Sequence, residues 1–362
     1  MRVLLAPDSF KGTVTAADAA RALADGWHSV RPDDDLLPLP MADGGEGTLD
    51  AVTAAHPAAT VHDVPRCTGP DGTPVTGRYA LLPDGTALVE LATASGLPLL
   101  GGRLAPLTAT TRGTGEAIAA ALDAGATALT VALGGSASTD GGAGLLAALG
   151  LRVTARSGAR LPDGGGALAT AGHLDTRLLR PAPSGGVRLL TDVTNPLLGP
   201  HGAAAVYGPQ KGAGPAETAL LERGLRRYAD LLGGDPDRPG AGAAGGTAYG
   251  LATVWNARIE PGAAALADLL GLDAALAAAD LVITGEGRFD ATSLLGKAVG
   301  EVITRADRAA VPVHVVAGDS TDARALTLVA LAGDTADACR RATHWLHRAG
   351  AHLARSAGAA GG

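Results

Sequence analysis

Five short segments of this chain carry the residue types that grip an oxygen-rich anion. They lie around Asp8, Asp43, Ser136, Asp192 and Glu286. In each, an apolar run gives way to glycine, small hydroxyls and one or two charges, and a helix often follows. Glycine lets the backbone approach a ligand closely, Ser and Thr add short donors, and a helix start offers free N–H groups to an anion. The three lysines extend the pattern: Lys11-Gly12, Lys211-Gly212 and Gly296-Lys297 each place an ammonium beside a glycine. The chain otherwise uses Arg as its cation, so lysine marks positions that want a compact, flexible charge instead of a planar fork. The chemistry indicated is the binding of a phosphate-bearing substrate.

These segments need a scaffold, and the rest of the sequence describes one. Short apolar runs alternate with helical periodicity, which is the signature of βαβ construction. A strand from Arg2 to Ala6 leads into the Asp8 loop, and a helix starts at a Thr15 N-cap with Asp18 three residues on. A run from Leu36 to Met41 delivers Asp43-Gly44-Gly45-Glu46. Residues 60–91 read as strands, with Pro83-Asp84-Gly85 as a hairpin turn. A helix over Gly115–Ala124 and a strand over Thr127–Leu133 lead to Ser136, Thr139 and Asp140. A strand near Val187–Leu190 runs into Asp192 and Asn195. A helix follows over 216–232, then a mobile-looking Gly/Ala stretch over 239–250. The α/β pattern resumes at Asp280: Leu281–Thr284 is a strand that ends at the Glu286 loop, a helix begins near Lys297, and Val311–Ala317 is another strand. The expected fold class is α/β with two α/β domains. A Rossmann-like parallel-sheet domain is made from both chain ends, residues 1–63 with 280–362, and a mixed α/β domain spanning 64–279 is inserted into it. The tail from Ser356 is expected to fray.

Composition excludes several classes. With 362 residues the chain is long enough for two cores, and aromatics make up only 2%, so those cores must be built from Ala, Val and Leu. The net charge of −7 comes without a basic stripe, which argues against a nucleic-acid surface. The apolar start is too short for a signal segment, and no run approaches the roughly 18 residues of a membrane helix, so a cytoplasmic protein is expected. Cys67 and Cys339 lack metal-ligand spacing and read as reduced thiols. There is no Walker A pattern. Gly240, Gly242 and Gly245 match a dinucleotide fingerprint in spacing but follow Pro239 instead of a strand, so a nicotinamide enzyme is not supported. Gly134-Gly135-Ser136-Ala137-Ser138 lacks the last glycine of a nucleophile elbow.

Whole motifs point further. Ala6-Pro7-Asp8-Ser9-Phe10-Lys11-Gly12, Met41-Ala42-Asp43-Gly44-Gly45-Glu46-Gly47-Thr48, Asp192-Val193-Thr194-Asn195-Pro196, Gly208-Pro209-Gln210-Lys211-Gly212 and Ile283-Thr284-Gly285-Glu286-Gly287-Arg288-Phe289-Asp290 stand in this order. Together they resemble the bacterial glycerate kinase type 1 family. The resemblance implies Mg²⁺- and ATP-dependent phosphorylation of D-glycerate, with 2-phosphoglycerate as product and an active site in a cleft between domains. It departs from the family in two places. Where the family reads Asp-x-Gln-Thr-Leu-x-Gly-Lys, this chain has Asp290-Ala291-Thr292-Ser293-Leu294-Leu295-Gly296-Lys297, keeping a hydroxyl at Ser293 and losing the glutamine. After Gly318 only about eight residues precede the last apolar run, fewer than the dozen of a parallel crossover. The last strand is therefore expected to be displaced, antiparallel or absent. An impaired family member that only binds a small anion or nucleotide is the alternative these departures raise.

Phosphoryl transfer needs cations on the phosphates, carboxylates for Mg²⁺, a proton acceptor and an anchor for the substrate carboxylate. Under the resemblance, Asp43, Glu46, Asp192, Lys11 and Lys211 are the catalytic candidates, with Asp192 and Asp43 also the Mg²⁺ candidates. Asp8, Ser9, Gly44, Gly45, Ser136, Thr139, Asp140, Asn195, Glu286, Arg288, Asp290, Ser293 and Lys297 are the substrate- and phosphate-binding candidates. Structural roles compete for some of them. Asp43 and Asp140 can cap the following helices, Glu286 and Arg288 can pair, and Asp192 with Asn195 can set an Asx turn before Pro196.

Overall fold

The computed structural model describes residues 1–10, 12–294 and 296–359; Lys11 lies outside the described residues. Thirteen strands are found among them: β1 (Arg2–Leu5), β2 (Asp35–Pro38), β3 (Thr60–Thr68), β4 (Pro74–Leu81), β5 (Thr86–Glu90), β6 (Ala128–Ala132), β7 (Arg152–Ala155), β8 (Ala171–Asp175), β9 (Val187–Leu190), β10 (Arg258–Glu260), β11 (Leu281–Phe289), β12 (Val313–Ser320) and β13 (Ala325–Thr327). They divide between two compact units. The first comprises Met1–Asp43, Asp50–Pro57 and the chain from Gly262 onward; the second comprises Gly44–Leu49 and Ala58–Pro261.

The first unit is built on one parallel sheet in the order β13-β12-β11-β1-β2. Strands buried on both faces read as continuous apolar runs, which is how Val3-Leu4-Leu5 and Leu281-Val282-Ile283 read. Neighbouring β12 residues face opposite ways. Val316 packs with Leu5, Leu23, Trp27 and Leu346, while Val315 packs with Phe289 and Val299. The helices Ala16–His28 and Ala342–Ala359 cover the first face and Ala298–Ala309 the second. Thr15 caps the first helix as its sequence predicts, accepting from the Asp18 amide at 3.1 Å.

Four expectations for the first unit are corrected in outline. β11 does not end at Thr284 but runs on to Phe289, so Glu286 and Arg288 sit on a strand and not in a loop. The cause is β12, which pairs alongside as far as Ser320 and satisfies the backbone of the glycine-rich stretch. The last strand is present and parallel: β13 pairs with Val315–Ala317. No helical crossover is needed, because three residues suffice for β13 and a tight turn returns the chain. Ser320 Oγ accepts from the Asp322 amide at 2.9 Å, the Asp322 carbonyl accepts from Ala325 N at 3.1 Å, and Arg324 donates to the Asp322 carboxylate at 2.7 Å. The C-terminal tail, expected to fray from Ser356, is helical through Ala359, and residues 360–362 lie outside the described residues. The helices Gly262–Leu269 and Leu272–Ala277, placed in the inserted domain by the sequence reading, lie in the first unit. Arg305 explains this, reaching from Ala298–Ala309 to Asp268 (2.7 Å), Asp273 (3.1 Å) and the Ala264 carbonyl (3.0 Å).

The second unit carries a mixed sheet in the order β10-β9-β6-β5-β4-β3, parallel from β10 to β5 and antiparallel through β4 and β3. The Pro83-Asp84-Gly85 hairpin forms as expected, with Gly85 at φ +84° and its amide on the Leu82 carbonyl at 3.0 Å. A small antiparallel ribbon, β7 with β8, stands apart from this sheet. The stretch 239–250, which reads as mobile in the sequence, is a packed segment: beyond the exposed Pro239 it is largely buried and enters the helix Ala243–Trp255 through left-handed residues at Ala244, Gly245 and Gly246. The Gly245 carbonyl accepts from Gly141 N at 2.9 Å, so this stretch braces the Ser136–Asp140 segment.

No helix among the described residues is long and apolar enough to cross a membrane.

Candidate active site

In an open parallel sheet, ligands bind at the carboxyl ends of strands, where the order of connections reverses. In the first unit that point lies between β1 and β11. The chain passes from β1 to β2 on one side, and from β11 to β12 and β13 on the other. A cavity of about 370 Å³ opens there. Its polar lining is Asp8 and Ser9 after β1, Asp43 after β2, Glu286 and Arg288 on β11, and Lys297 at the start of Ala298–Ala309. Phe10, Leu328, Val329 and Ala338 form an apolar side.

Backbone ladders deliver these residues. Beyond β1, Ala6 N and Asp8 N donate to the Ile283 and Gly285 carbonyls, both at 2.8 Å. Beyond β2, Met41 N donates to the Pro7 carbonyl at 2.8 Å and leaves Asp43 at the rim. Asp8 is nearly buried and accepts from Ser9 N at 2.6 Å. Glu286 and Arg288 are two apart on one strand, so both point to the same side. Arg288 also lies 3.7 Å from Asp290, and Lys297 Nζ donates to Thr292 Oγ1 at 3.3 Å.

Sequence reasoning missed Asp319, which pairs in register with Arg288 and lines the same cavity. The signal was available, since Val315-Val316-Ala317-Gly318-Asp319 repeats the apolar run, glycine and acid of the other segments. Two nominated residues of the first unit do not line the cavity. Asp290 accepts from Thr292 N (2.8 Å) and Thr292 Oγ1 (2.6 Å), bonds that lower its pKa. Ser293 is fully buried and accepts from Asp290 N at 3.0 Å. Both shape the turn that sets Lys297.

The second unit gathers another group at the carboxyl edge of its own parallel strands. The Gly44 carbonyl accepts from Gly134 N at 2.8 Å, and a Cβ at Gly134 would fall 2.3 Å from Gly45 Cα, so only glycine allows this approach. Glu46 Oε1 lies 3.2 Å from where a Cβ on Gly135 would be, and Leu190, just before Thr191 and Asp192, packs on Gly44. Gly44, Gly45, Glu46, Ser136 and Asp192 therefore share one edge. Glu90, unnoticed in the sequence, anchors this edge from beneath, accepting from Gly47 N at 3.2 Å and Leu49 N at 2.9 Å. An acid in the otherwise apolar Ala87–Ala92 run was its only mark.

Thr139, Asp140, Asn195 and Lys211 stand behind that edge. Asp140 is fully buried and accepts from Thr111 N (2.9 Å), Thr111 Oγ1 (2.8 Å), Gly142 N (3.1 Å) and Gly144 N (3.2 Å). Burial raises its pKa against these donors. Asn195 bridges the His201 carbonyl and the Tyr207 hydroxyl. Lys211 is buried, and its Nζ donates to the Ser138 carbonyl at 2.5 Å, so it positions the Ser136–Asp140 segment.

Burial lowers the Lys211 pKa from 10.5 to about 8, with the Asp140 charge opposing the shift. Between those two values the folded chain has released a proton that the unfolded chain keeps. The Lys211 contribution therefore makes stability rise with pH across that window. Lys211→Met is expected to remove that rise, read as the difference between wild-type and variant urea midpoints from pH 7.5 to 10. Parallel curves would show that Lys211 is not the group responsible.

Comparison with known proteins identifies relatives of this chain. The glycerate kinase family matches residues 3–359. A glycerate kinase of Bacillus subtilis is 41% identical over 90% of this chain and 87% of its own. A glycerate 2-kinase of Escherichia coli is 40% identical over 89% and 86%. A solved structure from Salmonella typhimurium LT2, assigned to glycerate kinase 2, has a TM-score of 0.82 at 37% identity and covers 99% of both chains.

Proposed function

Since this chain belongs to the glycerate kinase family, we propose that it transfers a phosphoryl group from ATP to D-glycerate and releases 2-phosphoglycerate and ADP. The observation that carries this reading is the meeting of carboxylates and cations, Asp8, Asp43, Glu286, Arg288 and Lys297, around the cavity at the strand-order switch point. Arg288 and Lys297 suit the glycerate carboxylate, the first as a planar fork and the second as a point charge. Asp43, at the rim, takes the proton of the attacking hydroxyl or holds the metal. In the second unit, the glycine amides and hydroxyl of Gly134-Gly135-Ser136 suit phosphate oxygens, with Glu46 and Asp192 as the neighbouring carboxylates.

Mg²⁺ fits the donor chemistry. It favours one or two carboxylates completed by water and substrate phosphates over an all-protein cage. The described residues hold no cluster of three or more potential ligands, and Asp43 and Asp192 are the hard-oxygen donors that the motifs nominate. When bound, Mg²⁺ would neutralise charge on the transferring phosphoryl group.

Lys11, between Phe10 and Gly12 beside Asp8, remains a phosphate-binding candidate by its motif. The shortened C-terminal segment, which had raised the alternative of a binding protein, completes the sheet as β13, so that motive for it falls away.

The test is ADP release on adding D-glycerate to the chain with ATP and Mg²⁺, followed by phosphorus NMR of the product. D-glycerate-dependent turnover with the resonance of a 2-phosphate is expected. No turnover with D-glycerate would overturn the assignment, and a 3-phosphate product would overturn its regiochemistry.

A further inference from the structure

The second unit contains another cavity, of about 530 Å³, which shares no lining residue with the first. One wall is the helix Ala143–Ala148, through Gly144 and Ala147. The facing wall is β7 and the strand that returns beside it, joined by a bridge between Thr154 and Arg160 and by Ala155 N on the Ala159 carbonyl at 2.8 Å. Arg152 and Thr154 are two apart on β7 and share a face; Arg160, directly opposite Thr154, shares it too. All three line the cavity. A third arginine, Arg112, enters from its own helix and is held at both nitrogens by Asp163, at 2.5 and 2.6 Å.

The charge balance of this cavity is unusual for a chain of net charge −7. Asp163 is the only carboxylate in the lining, and Arg112 already engages it. Asp175 pairs across the ribbon with Arg152 but is gripped by Arg177 at 2.9 and 2.8 Å. Among the described residues, the exposed Arg152 and Arg160 side chains make no hydrogen bond or ion pair, and both line this one cavity. Paired guanidinium forks match the oxygens of a phosphate. Leu151, Leu161, Leu168 and Leu178 give the remaining lining an apolar character, and the volume is in the range of sites for whole organic ligands.

We propose that this cavity binds an organic phosphate with a planar or apolar body, its phosphate on Arg152 and Arg160 and its body against the leucines. Occupancy has a route to the Ser136–Asp140 segment. Thr111, next to Arg112, and Gly144, in the cavity wall, both donate to Asp140 Oδ2, at 2.8 to 3.2 Å. An occupant that shifts Arg112 or Gly144 therefore acts on the carboxylate that fixes that segment. Only this regulatory clause rests on the kinase reading; the binding itself does not.

The experiment is calorimetry with AMP as the probe, and with adenosine and inorganic phosphate as its two halves. AMP is expected to bind the wild type at least about tenfold more tightly than either half. R152Q/R160Q is expected to weaken AMP by about tenfold or more, because two charge-assisted contacts are lost. Glycerate kinase turnover without AMP should stay unchanged, since neither arginine lines the first cavity. Leu161→Trp, which fills the space and keeps both arginines, should block AMP as well. AMP affinity that survives R152Q/R160Q would place the binding elsewhere and overturn the proposal, as would the absence of any AMP signal in the wild type. Phosphate binding as tightly as AMP would overturn the assignment of an organic body.

Discussion

Asp43→Asn is expected to lower kcat for glycerate phosphorylation by about 10²–10⁴-fold, the range for loss of a positioned proton acceptor. The thermal midpoint should hardly move. Asp43 stands at the rim of the first unit's cavity, after the ladder from β2 has ended, and is half-buried, so an isosteric amide fits without repacking. The amide keeps the shape and removes both the charge and the basic oxygen. Two roles are open to Asp43, and the magnesium dependence separates them. If it takes the hydroxyl proton, the variant loses kcat at every Mg²⁺ concentration and half-saturates at the wild-type level. If it holds the metal, the Mg²⁺ needed for half-maximal rate rises and part of the rate returns at high Mg²⁺. Coupled measurement of ADP release across a magnesium series decides between them. A variant with wild-type kcat and wild-type magnesium dependence would exclude Asp43 from the chemistry.

The sequence made the fold legible wherever local pattern and burial agree. β9 was readable to the residue, because Val187-Arg188-Leu189-Leu190 is a mostly apolar run bounded by glycine and a polar turn. The Thr15 cap and the Pro83-Asp84-Gly85 hairpin were readable because a cap or a turn is decided by a few adjacent side chains. Two of the misreadings share one cause: glycine was taken as the end of an element when a distant partner had already settled the matter. Gly285 and Gly287 stay extended because β12 runs alongside them, and Gly245 and Gly246 are fixed against Gly141, about a hundred residues earlier in the chain. β13 was misjudged because the rule for parallel crossovers assumes a helix, whereas a three-residue strand returns on a turn held by Asp322.

Within the candidate site, motif residues were legible as a group but not by task. Asp8, Asp43, Glu286, Arg288 and Lys297 line one cavity, while Asp140, Asn195, Ser293 and Lys211 lie behind loops and hold them. No spacing rule separates a carboxylate that meets a ligand from one that accepts four backbone and hydroxyl donors. Burial does, and burial depends on the whole fold. Glu90 shows the converse. It is a buried acid that fixes Gly47 and Leu49, and no motif marks it.

Gly26→Ala is expected to destabilise the first unit by about 2–4 kcal/mol, at or beyond the upper end of what overpacking usually costs. The helix Ala16–His28 lies against Ala342–Ala359, and these two cover one face of the parallel sheet. A Cβ placed on Gly26 would fall 2.0 Å from the His347 carbonyl oxygen, 2.8 Å from its carbon and 3.0 Å from Ala351 N. All three atoms are backbone, so no rotamer change relieves the clash and the helices must separate. Separation opens the core beneath, where Leu23, Trp27, Leu346 and Leu353 interlock. Alanine ordinarily stabilises a helix interior by roughly 0.5–1 kcal/mol relative to glycine, so propensity pulls the other way and is outweighed. The same substitution at Gly233, where a Cβ would meet nothing within 4 Å, provides the control for side-chain crowding, though its φ of +78° adds local strain. The expected outcome for Gly26→Ala is a thermal midpoint lower by several degrees, read by calorimetry. The KM values measured well below that midpoint should be unchanged, because Gly26 does not line the cavity. An unchanged or raised midpoint would mean that the two helices are not packed as closely as a glycine contact requires.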